Sequence, residues 1–363
     1  MKQSIIIVIL IGLGTMGCFY NEPVPSDQNV WPVAMPSDFG MNEELLLTMD
    51  SVISISPNSG ISSIVIVKEG HLVFEKYYNG TDRRSLFGLS GISSSLVNAA
   101  LGRAIDLGLI ASVDDSLFKY IPEYAQEFED SPIKKNITFE HLMAMKSGLS
   151  WREFSGGFDD LLSDTDYIIQ SEDWVEYLLS KPLEALPGTR YSFNSAMAML
   201  IAAAIENVYG DSFKNFMVKE ALNTIDVKDV EIERIGDNEN VAWGISMTTL
   251  DLTKIGYLYL EKGDWFGRQV LDQNYVESSS AIQTHVDFNN DFGWMWWRYA
   301  EDNFFLSFLS ENDTFFAGGI GNERLYIVPH LELVVAVTGV QIEGNFSLSA
   351  PLVFRDYILG SLR

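Results

Sequence analysis

Cysteine and positive charge are both scarce in this chain. Its 363 residues include one cysteine, and 24 Lys and Arg side chains are outnumbered by 50 Asp and Glu side chains, which gives a formal net charge of −26. A single cysteine cannot form an internal disulfide bond, and a strongly negative field repels the phosphates of nucleic acids. The composition therefore excludes a disulfide-stapled domain and argues against nucleic-acid binding.

Histidine is also rare, with four residues in the chain. No His, Cys, Asp or Glu residues have the spacing of a metal-ligand motif in a confirming context. We therefore expect neither a metal ion nor a cofactor. Apolar residues make up 47% of the chain, which is enough to bury a full core.

The single cysteine, Cys18, follows an apolar segment at the N-terminus. Met1-Lys2 precedes the run Ile5–Ile11, and small residues follow before the cysteine. This pattern is typical of a signal peptide and is too short to span a bilayer comfortably. We predict that residues 1–18 are a bacterial lipoprotein-type signal peptide with Cys18 as the lipidation site, the alternative being an ordinary signal peptide. A lipid anchor would hold the protein at a membrane of the bacterial cell envelope, in the periplasm or at the surface.

Hydrophobic patterning divides the rest of the chain into three parts. Residues 19–36 are polar and proline-rich and predict a tether before a domain of residues 37–363. Residues 62–78 predict a β-hairpin, and strand-like runs return after residue 294. The region of about 113–240 has mainly helical periodicity. We therefore predict an α+β fold with an antiparallel sheet built from both ends of the chain, flanking helices and an inserted helical subdomain.

Several short segments, in a fixed order, resemble those of a known family. They are Leu72–Glu75, Ala104–Gly108, His141–Leu149, Pro187–Arg190, Trp243–Leu252, Phe292–Trp294 and Tyr326–Pro329. From residue 31 onward the chain resembles the serine β-lactamases and penicillin-binding proteins, a group of related serine hydrolases. The resemblance implies the β-lactamase/transpeptidase-like fold.

The resemblance also implies a nucleophilic serine and, three residues later, a lysine base at the start of a helix. The i, i+3 spacing places such a pair on one helix face. When the chain is aligned without gaps from Gly102–Gly108, the nucleophile position falls on Gly91 and the lysine position on Ser94. When the register is shifted by one residue, Ser90 becomes the nucleophile and Ser93 occupies the lysine position. Neither register supplies a lysine.

Two further motifs of the family differ here. The position of the catalytic tyrosine is Phe193, which keeps the ring and loses the hydroxyl, and Asn194 follows it. On the late strand that bears Lys or His in many members, the corresponding residue is Ala317. Gly318 and Gly319 come next and allow a ligand or backbone to approach closely.

We therefore predict a member of this family that is inactive by the family mechanism. Its cleft would bind an envelope ligand, such as a peptidoglycan fragment, or a protein partner, through Ser90, Ser94, Phe193, Asn194, Gly318 and Gly319. One alternative is an active serine hydrolase of the esterase or amidase type that uses Ser90 with a rearranged base, for which His141 and His285 are candidates. Another alternative is a structural envelope lipoprotein with a filled cleft.

A base within about 3 Å of Ser90 would favour the hydrolase, and Phe193 packed across the cleft would favour the structural role. An open apolar cleft without a base would favour ligand binding.

Overall fold

The computed structural model describes residues 30–56, 59–155, 162–301, 303, 313–340 and 348–362. The predicted signal peptide, the predicted lipidation site Cys18 and most of the predicted tether lie outside the described residues. Within the described ranges, no helix combines the length and the apolar character needed to cross a membrane.

Helices and strands follow one another along the described chain. The helices α1 to α11 span Glu43–Ser54, Ile92–Asp106, Ala125–Asp130, Phe139–Met143, Asp164–Ile168, Trp174–Ser180, Met197–Tyr209, Phe213–Phe216, Thr249–Leu260, Gln273–Ser280 and Ala350–Val353. The strands β1 to β15 span Ile61–Lys68, His71–Tyr77, Phe87–Gly88, Val230–Ile232, Arg234–Ile235, Asn238–Glu239, Ile245–Met247, Asp264–Trp265, Arg268–Gln269, Thr284–His285, Asn290–Phe292, Trp297–Tyr299, Phe315–Gly318, Arg324–Val328 and Leu333–Gly339.

Strands from both ends of the chain form one large sheet. Its order in the described residues is β10-β11-β12-β13-β14-β15-β1-β2, and all neighbouring strands are antiparallel. The first strand therefore pairs with the last, with Val65 opposite Ala336. This topology confirms the predicted α+β fold with a sheet assembled from the N- and C-terminal strands.

The strand β1, next to the edge strand β2, is buried on both faces, and its residues alternate between two cores. Val65 and Val67 join the core on the side of α2, α7 and α9. Ile64 and Ile66 join the core on the side of α1 and the C-terminal helix. Successive side chains of a strand point to opposite faces. The sheet is thus the middle layer between two groups of helices.

The region predicted as a helical subdomain, residues 113–240, contains α3 to α8, and the short strands β4 to β6 lie at its end. The strand β4 pairs with β7 in a small separate sheet that also includes β3. Because β3 precedes α2 directly, this small sheet helps to fix the start of α2, where the catalytic serine of the resembled family would lie.

The described part of the predicted tether packs on the domain. Trp31 is 2% exposed, and its ring centroid lies 5.4 Å from that of Tyr257. The amide of Ala34 donates a hydrogen bond to the carbonyl of Leu72 (3.1 Å). The ordered domain therefore begins before residue 37, the boundary predicted from composition, because a buried tryptophan and backbone hydrogen bonds hold residues 30–36 against the edge strand β2.

Candidate functional site

The chain turns sharply at Ser90 before α2 begins. Ser90 has a φ of +49°, in the left-handed region that few non-glycine residues adopt. Gly91 follows as the residue before the first helical turn, and the amide of Ser93 donates to the Ser90 carbonyl (3.0 Å). This turn directs the chain from β3 into α2 and leaves Ser90 and Gly91 half-buried at the start of the helix.

The serines of the first turn of α2 connect the helix to neighbouring segments. Ser93 Oγ accepts a hydrogen bond from the amide of Ile245 (3.4 Å), and Ser95 Oγ donates to the carbonyl of Met295 (2.6 Å). Ser94, at the expected lysine position, is 5% exposed. A buried hydroxyl at this position supplies no amine to accept a proton, so the lysine base of the family is absent from this helix face.

Gly91, which the alignment places at the nucleophile position of the family, has no room for a side chain. A Cβ placed on Gly91 would lie 2.7 Å from the carbonyl oxygen of Gly318 and 3.7 Å from Cα of Gly319. Because a contact of 2.7 Å is far inside the van der Waals distance between carbon and oxygen, a serine at residue 91 would require β13 to move. The glycine is therefore matched to the close approach of α2 and β13.

Ser90 lies beside the turn that connects β13 to β14. Its Oγ accepts a hydrogen bond from the amide of Ile320 (3.3 Å). A Cβ placed on Gly319 would lie 2.9 Å from Cβ of Ser90 and 2.6 Å from Oε2 of Glu323. Ser90 and the Glu323 carboxylate thus flank the same small space, and Glu323 is the acidic residue of this site that the sequence analysis missed.

Glu323 is 7% exposed, and its Oε2 accepts a hydrogen bond from the Gly321 amide (2.9 Å). Burial raises the pKa of the Glu323 carboxyl, and this backbone hydrogen bond and the charge of Arg324 oppose the shift. The Arg324 guanidinium donates to the carbonyls of Gly319 (2.7 Å) and Glu323 (2.6 Å). Arg324 therefore stabilises the turn by donating to its carbonyl groups. Glu323 and Ser90 stabilise it by accepting hydrogen bonds from the turn's amides.

Phe193, at the expected tyrosine position, is half-buried against the sheet. Its ring centroid lies 5.8 Å from that of Trp297, and Trp297 is opposite Phe316 in the register of β12 and β13. Phe193 therefore contacts the pair of strands that also carries Gly318. Its ring supplies no hydroxyl.

Tyr191 is the phenol nearest to Phe193 in the sequence, but its hydroxyl is buried. Its ring centroid lies 5.7 Å from that of Phe292, and its buried hydroxyl makes no hydrogen bond among the described residues. Burial raises the pKa of the Tyr191 hydroxyl above its usual value. A proton relay needs a phenol that can exchange its proton with a partner, so Tyr191 does not replace the hydroxyl missing from Phe193.

Ser195, which follows Asn194, is linked to a second carboxylate that no sequence motif predicts. Ser195 donates to Glu153 through its hydroxyl and through its amide (3.1 Å to Oε2), and the indole of Trp151 donates to the same oxygen (2.6 Å). Asn194 is 2% exposed, and its side-chain NH2 finds no acceptor in the described residues. Glu153 therefore fixes this segment, and Asn194 retains an unused donor.

The two candidate histidine bases have other partners. His141 Nδ1 bonds with the amide of Thr138 (3.3 Å) at the start of α4, and burial lowers the pKa of its ring. A Cβ placed on Gly188 would lie 2.6 Å from His141 Nε2, so both sides of that ring are occupied. His285 is bound to Asp291 (2.7 Å) on β11. Neither contact places a ring nitrogen beside Ser90.

Across the described ranges, no group of three His, Cys, Asp or Glu residues could hold a metal ion. The candidate site consists of two parts, the contact between α2 and β13 and the contact of Phe193 with the same strands. Ser90 and Gly91 meet Gly318 and Gly319 directly, and Phe193 reaches the same strands through Trp297.

Comparison with solved structures shows which proteins share this fold. Simvastatin synthase from Aspergillus terreus aligns with 87% of this chain and 98% of its own at a TM-score of 0.66 and 12% identity. The penicillin-binding-protein homologue from Pyrococcus abyssi aligns over 87% and 78% (TM-score 0.65, 17% identity). The penicillin-binding protein from Bacillus halodurans aligns over 83% and 98% (TM-score 0.62, 15% identity). These identities are low, so the similarity shows the fold alone.

Sequence comparison identifies the family. A relative named "Beta-lactamase-like protein 2" from Dictyostelium discoideum is 31% identical over 218 residues, which cover 55% of this chain but 37% of that protein's length. A family model described as "Beta-lactamase" matches residues 60–339. Because that match covers well over half of the sequence and includes both walls of the site, the chain belongs to the β-lactamase family.

Proposed function

We propose that this chain is a β-lactamase-family protein that no longer uses the serine mechanism of its family and instead binds a ligand in the remaining cleft. The observation that carries the proposal is the pair Gly91 and Gly318. Gly91, at the nucleophile position, has no side chain, and the carbonyl oxygen of Gly318 lies 2.7 Å from the place that its Cβ would occupy.

The other replacements point in the same direction. Ser94 stands at the position of the base and Phe193 at the position of the phenol. The nucleophile, the base and the phenol act as a unit in a nucleophilic mechanism. Loss of the nucleophile of such a unit typically costs about 10⁶-fold in turnover, and loss of the remaining members adds little. A protein with all three replacements is therefore better suited to holding a ligand than to turning one over.

The character of the cleft supports binding. Ser90, Gly91, Phe193 and Gly318 are each half-buried rather than fully enclosed. The buried donor of Asn194 has no acceptor in the described residues, and an unpaired buried donor is costly. A ligand that offers a carbonyl or carboxylate oxygen would satisfy it. Peptidoglycan fragments have this chemistry, and a predicted anchor at Cys18 would place the protein beside them in the cell envelope.

A second candidate function is favoured by one specific contact. Glu323 lies beside Ser90, and its raised pKa is a property of many general acids and bases. In this hypothesis Glu323 accepts the Ser90 proton, Ser90 Oγ attacks an ester carbonyl, and the alcohol leaves with that proton to give an acyl-enzyme. Water, deprotonated by Glu323, then attacks the acyl group, the acid is released, and Glu323 returns the proton to Ser90 Oγ. Against it, Ser90 Oγ already accepts the Ile320 amide, and its left-handed backbone holds it at the turn.

Intact-mass spectrometry of the purified full chain separates these two functions. The protein is incubated with a fluorophosphonate and, separately, with a penicillin, and circular dichroism shows that it is folded. The non-hydrolysing proposal predicts no covalent adduct with either reagent. A stoichiometric adduct that maps to Ser90, and that Ser90→Ala and Glu323→Gln both abolish, would establish the hydrolase instead.

Binding and anchoring need their own measurements. Isothermal titration with muramyl peptides should show one site, and Asn194→Ala should weaken it by about tenfold, the value of one hydrogen bond to a buried donor. Ser192→Ala, a half-buried neighbour, is the matched control. Incorporation of labelled palmitate that Cys18→Ala abolishes would support the lipid anchor, and unlabelled wild-type protein would contradict it.

A further inference from the structure

A second cavity lies apart from the cleft of Ser90 and Phe193. It has a volume of about 660 Å³, is open to the surface, and is lined by the loops at residues 83–84 and 226–229, the start of α9 and the turn between β8 and β9. Small-molecule pockets usually measure about 300–1,000 Å³. The cavity is therefore large enough for a ligand, and no motif of the family accounts for it.

The aromatic residue at the edge of this cavity has an unfavourable conformation. Trp265 pairs with Arg268 across a two-residue turn, whose central residues Phe266 and Gly267 have φ of +51° and +86°. Such turns favour Asn, Asp or Gly at the first central position, and a bulky residue with positive φ is a genuine outlier. Phe266 is also 56% exposed. Its ring contacts those of Tyr257 and Trp265, but the conformation of the turn disfavours phenylalanine at this position.

Phe266 contacts two aromatic neighbours and is still more than half exposed. Its ring stacks on Tyr257, with centroids 5.7 Å apart and planes at 28°, and meets Trp265 edge-on with centroids 5.1 Å apart. Aromatic rings stack favourably in offset arrangements at this spacing. An exposed, strained phenylalanine beside a cavity is the arrangement expected when the ring contributes to binding, because backbone strain is concentrated at ligand sites.

The polar lining of the cavity includes an ion pair between Lys254 and Asp251. Lys254 donates to Asp251 Oδ1 (2.7 Å) and to the Asp226 carbonyl (2.6 Å), and the side chains of Lys254 and Asp251 are 8% and 10% exposed. A buried ion pair of this kind adds little net stability, since desolvation offsets the attraction. It does hold the loop at residue 226 in place beside the cavity.

Both signs of charge remain accessible at the rim. Lys228 and Arg84 are exposed cations on opposite loops, and Asp226 and Asp229 are exposed carboxylates. Among the described residues, no salt bridge engages the side chain of Lys228, Asp226 or Asp229. Although the chain has a net charge of −26, the exposed charged side chains of this lining are two cations and two carboxylates, which suits a ligand that carries both charges.

We propose that this cavity binds a zwitterionic aromatic ligand, of the class of a free aromatic amino acid or a short peptide that contains one. The ring stacks on Phe266, the carboxylate is attracted to Lys228 and Arg84, and the ammonium group is attracted to Asp226 and Asp229. This site is independent of the cleft and of its proposed function.

Isothermal titration of the full chain with three probes tests the proposal. L-Phenylalanine carries the ring and both charges, 3-phenylpropanoate lacks the ammonium group, and 2-phenylethylamine lacks the carboxylate. We expect L-phenylalanine to bind at one site and each analogue to bind at least tenfold more weakly. Failure of L-phenylalanine to bind at millimolar concentration, or equal affinity for all three probes, would overturn the proposal.

The decisive variant keeps the turn and removes the ring. Phe266→Asn places a residue that the turn favours, so its Tm should equal or exceed that of the wild type while L-phenylalanine binds at least tenfold more weakly. Phe288→Asn, which removes a 65% exposed ring that does not line the cavity, is the matched control and should bind normally. Unchanged affinity in Phe266→Asn would contradict the assignment.

Two charge variants assign the poles of the ligand. Lys228→Ala should weaken L-phenylalanine and 3-phenylpropanoate and leave 2-phenylethylamine unaffected, and Asp229→Asn should have the opposite selectivity. Equal effects of either variant on all three probes would show that the rim acts only through its general field, and the zwitterion assignment would be wrong.

Discussion

The carbonyl oxygen of Gly318 lies 2.7 Å from the point that a Cβ on Gly91 would occupy. The start of α2 and the end of β13 therefore approach each other more closely than any side chain at residue 91 would allow. Residue 91 is where the resemblance places the nucleophile of the family, so on our proposal its loss is a property of the backbone as well as of the sequence. Restoring a hydroxyl would require more than one substitution.

Gly91→Ala tests this contact through stability. The added methyl group must displace the Gly318 carbonyl, and overpacking of this kind typically costs about 1–3 kcal/mol. Gly88→Ala is the matched control, because the nearest atom to its new Cβ, Ser246 Oγ, lies at 4.0 Å. We expect urea denaturation to show a lower free energy of unfolding for Gly91→Ala alone. Equal free energies of unfolding for the two variants would show that β13 moves to accommodate the added methyl group at little cost.

Reconstruction of the family motif tests the same contact through activity. Gly91→Ser with Ser94→Lys lacks the phenol, and adding Phe193→Tyr restores all three groups. A displacement of about 1 Å can cost about 10²-fold in rate, so the Gly318 carbonyl should keep even the triple variant at least that far below an active relative. Initial rates with nitrocefin and p-nitrophenyl acetate measure this. A triple variant at the full rate, with the double variant slow, would assign the whole defect to Phe193.

The sequence predicted the sheet, because regular alternation and turn residues located the hairpin of β1 and β2. Fixed spacing assigned Gly91 and Ser94 to the nucleophile and lysine positions of the family, and that assignment stays a prediction. Glu323 and Glu153 were missed because each is a single carboxylate in a loop, with no periodicity to mark it. The Gly91–Gly318 contact joins residues far apart in the chain, so no local pattern encodes it.

The start of the domain shows the same limit. Proline and polar residues predicted a tether up to residue 36, yet Trp31 is buried against Tyr257. Composition describes the average of a segment, whereas one large buried side chain decides whether that segment is fixed. The exception was visible in the sequence as a tryptophan within the short apolar run of residues 30–35.

Trp31→Ala measures how much this segment contributes to the domain. Removal of a fully buried tryptophan typically costs about 3–5 kcal/mol. Val33→Ala is the matched control, since Val33 is 66% exposed and its truncation should change stability by less than about 0.5 kcal/mol. Urea unfolding followed by circular dichroism gives both values. A cost for Trp31→Ala no greater than that of the control would show that residues 30–36 are dispensable.

Glu323 should make stability depend on pH. Burial raises its pKa in the folded state above the ordinary value of 4.5, so the folded protein binds this proton more tightly than the unfolded chain. Its contribution is therefore fully present below the unfolded pKa and is lost as the pH rises through the folded pKa. Glu323→Gln keeps the shape and an acceptor oxygen for the Gly321 amide but cannot ionise.

We expect Glu323→Gln to be more stable than the wild type at pH 7, with the difference shrinking as the pH falls through the folded pKa toward 4.5 and changing little below that. Urea unfolding at several pH values between 4 and 8 measures it, and Glu301→Gln, an exposed carboxyl, is the control that should show no such trend. A wild type more stable than Glu323→Gln at pH 7 would mean that the ionised carboxylate is stabilised by the turn amides, which would strengthen the case for Glu323 as a working base beside Ser90.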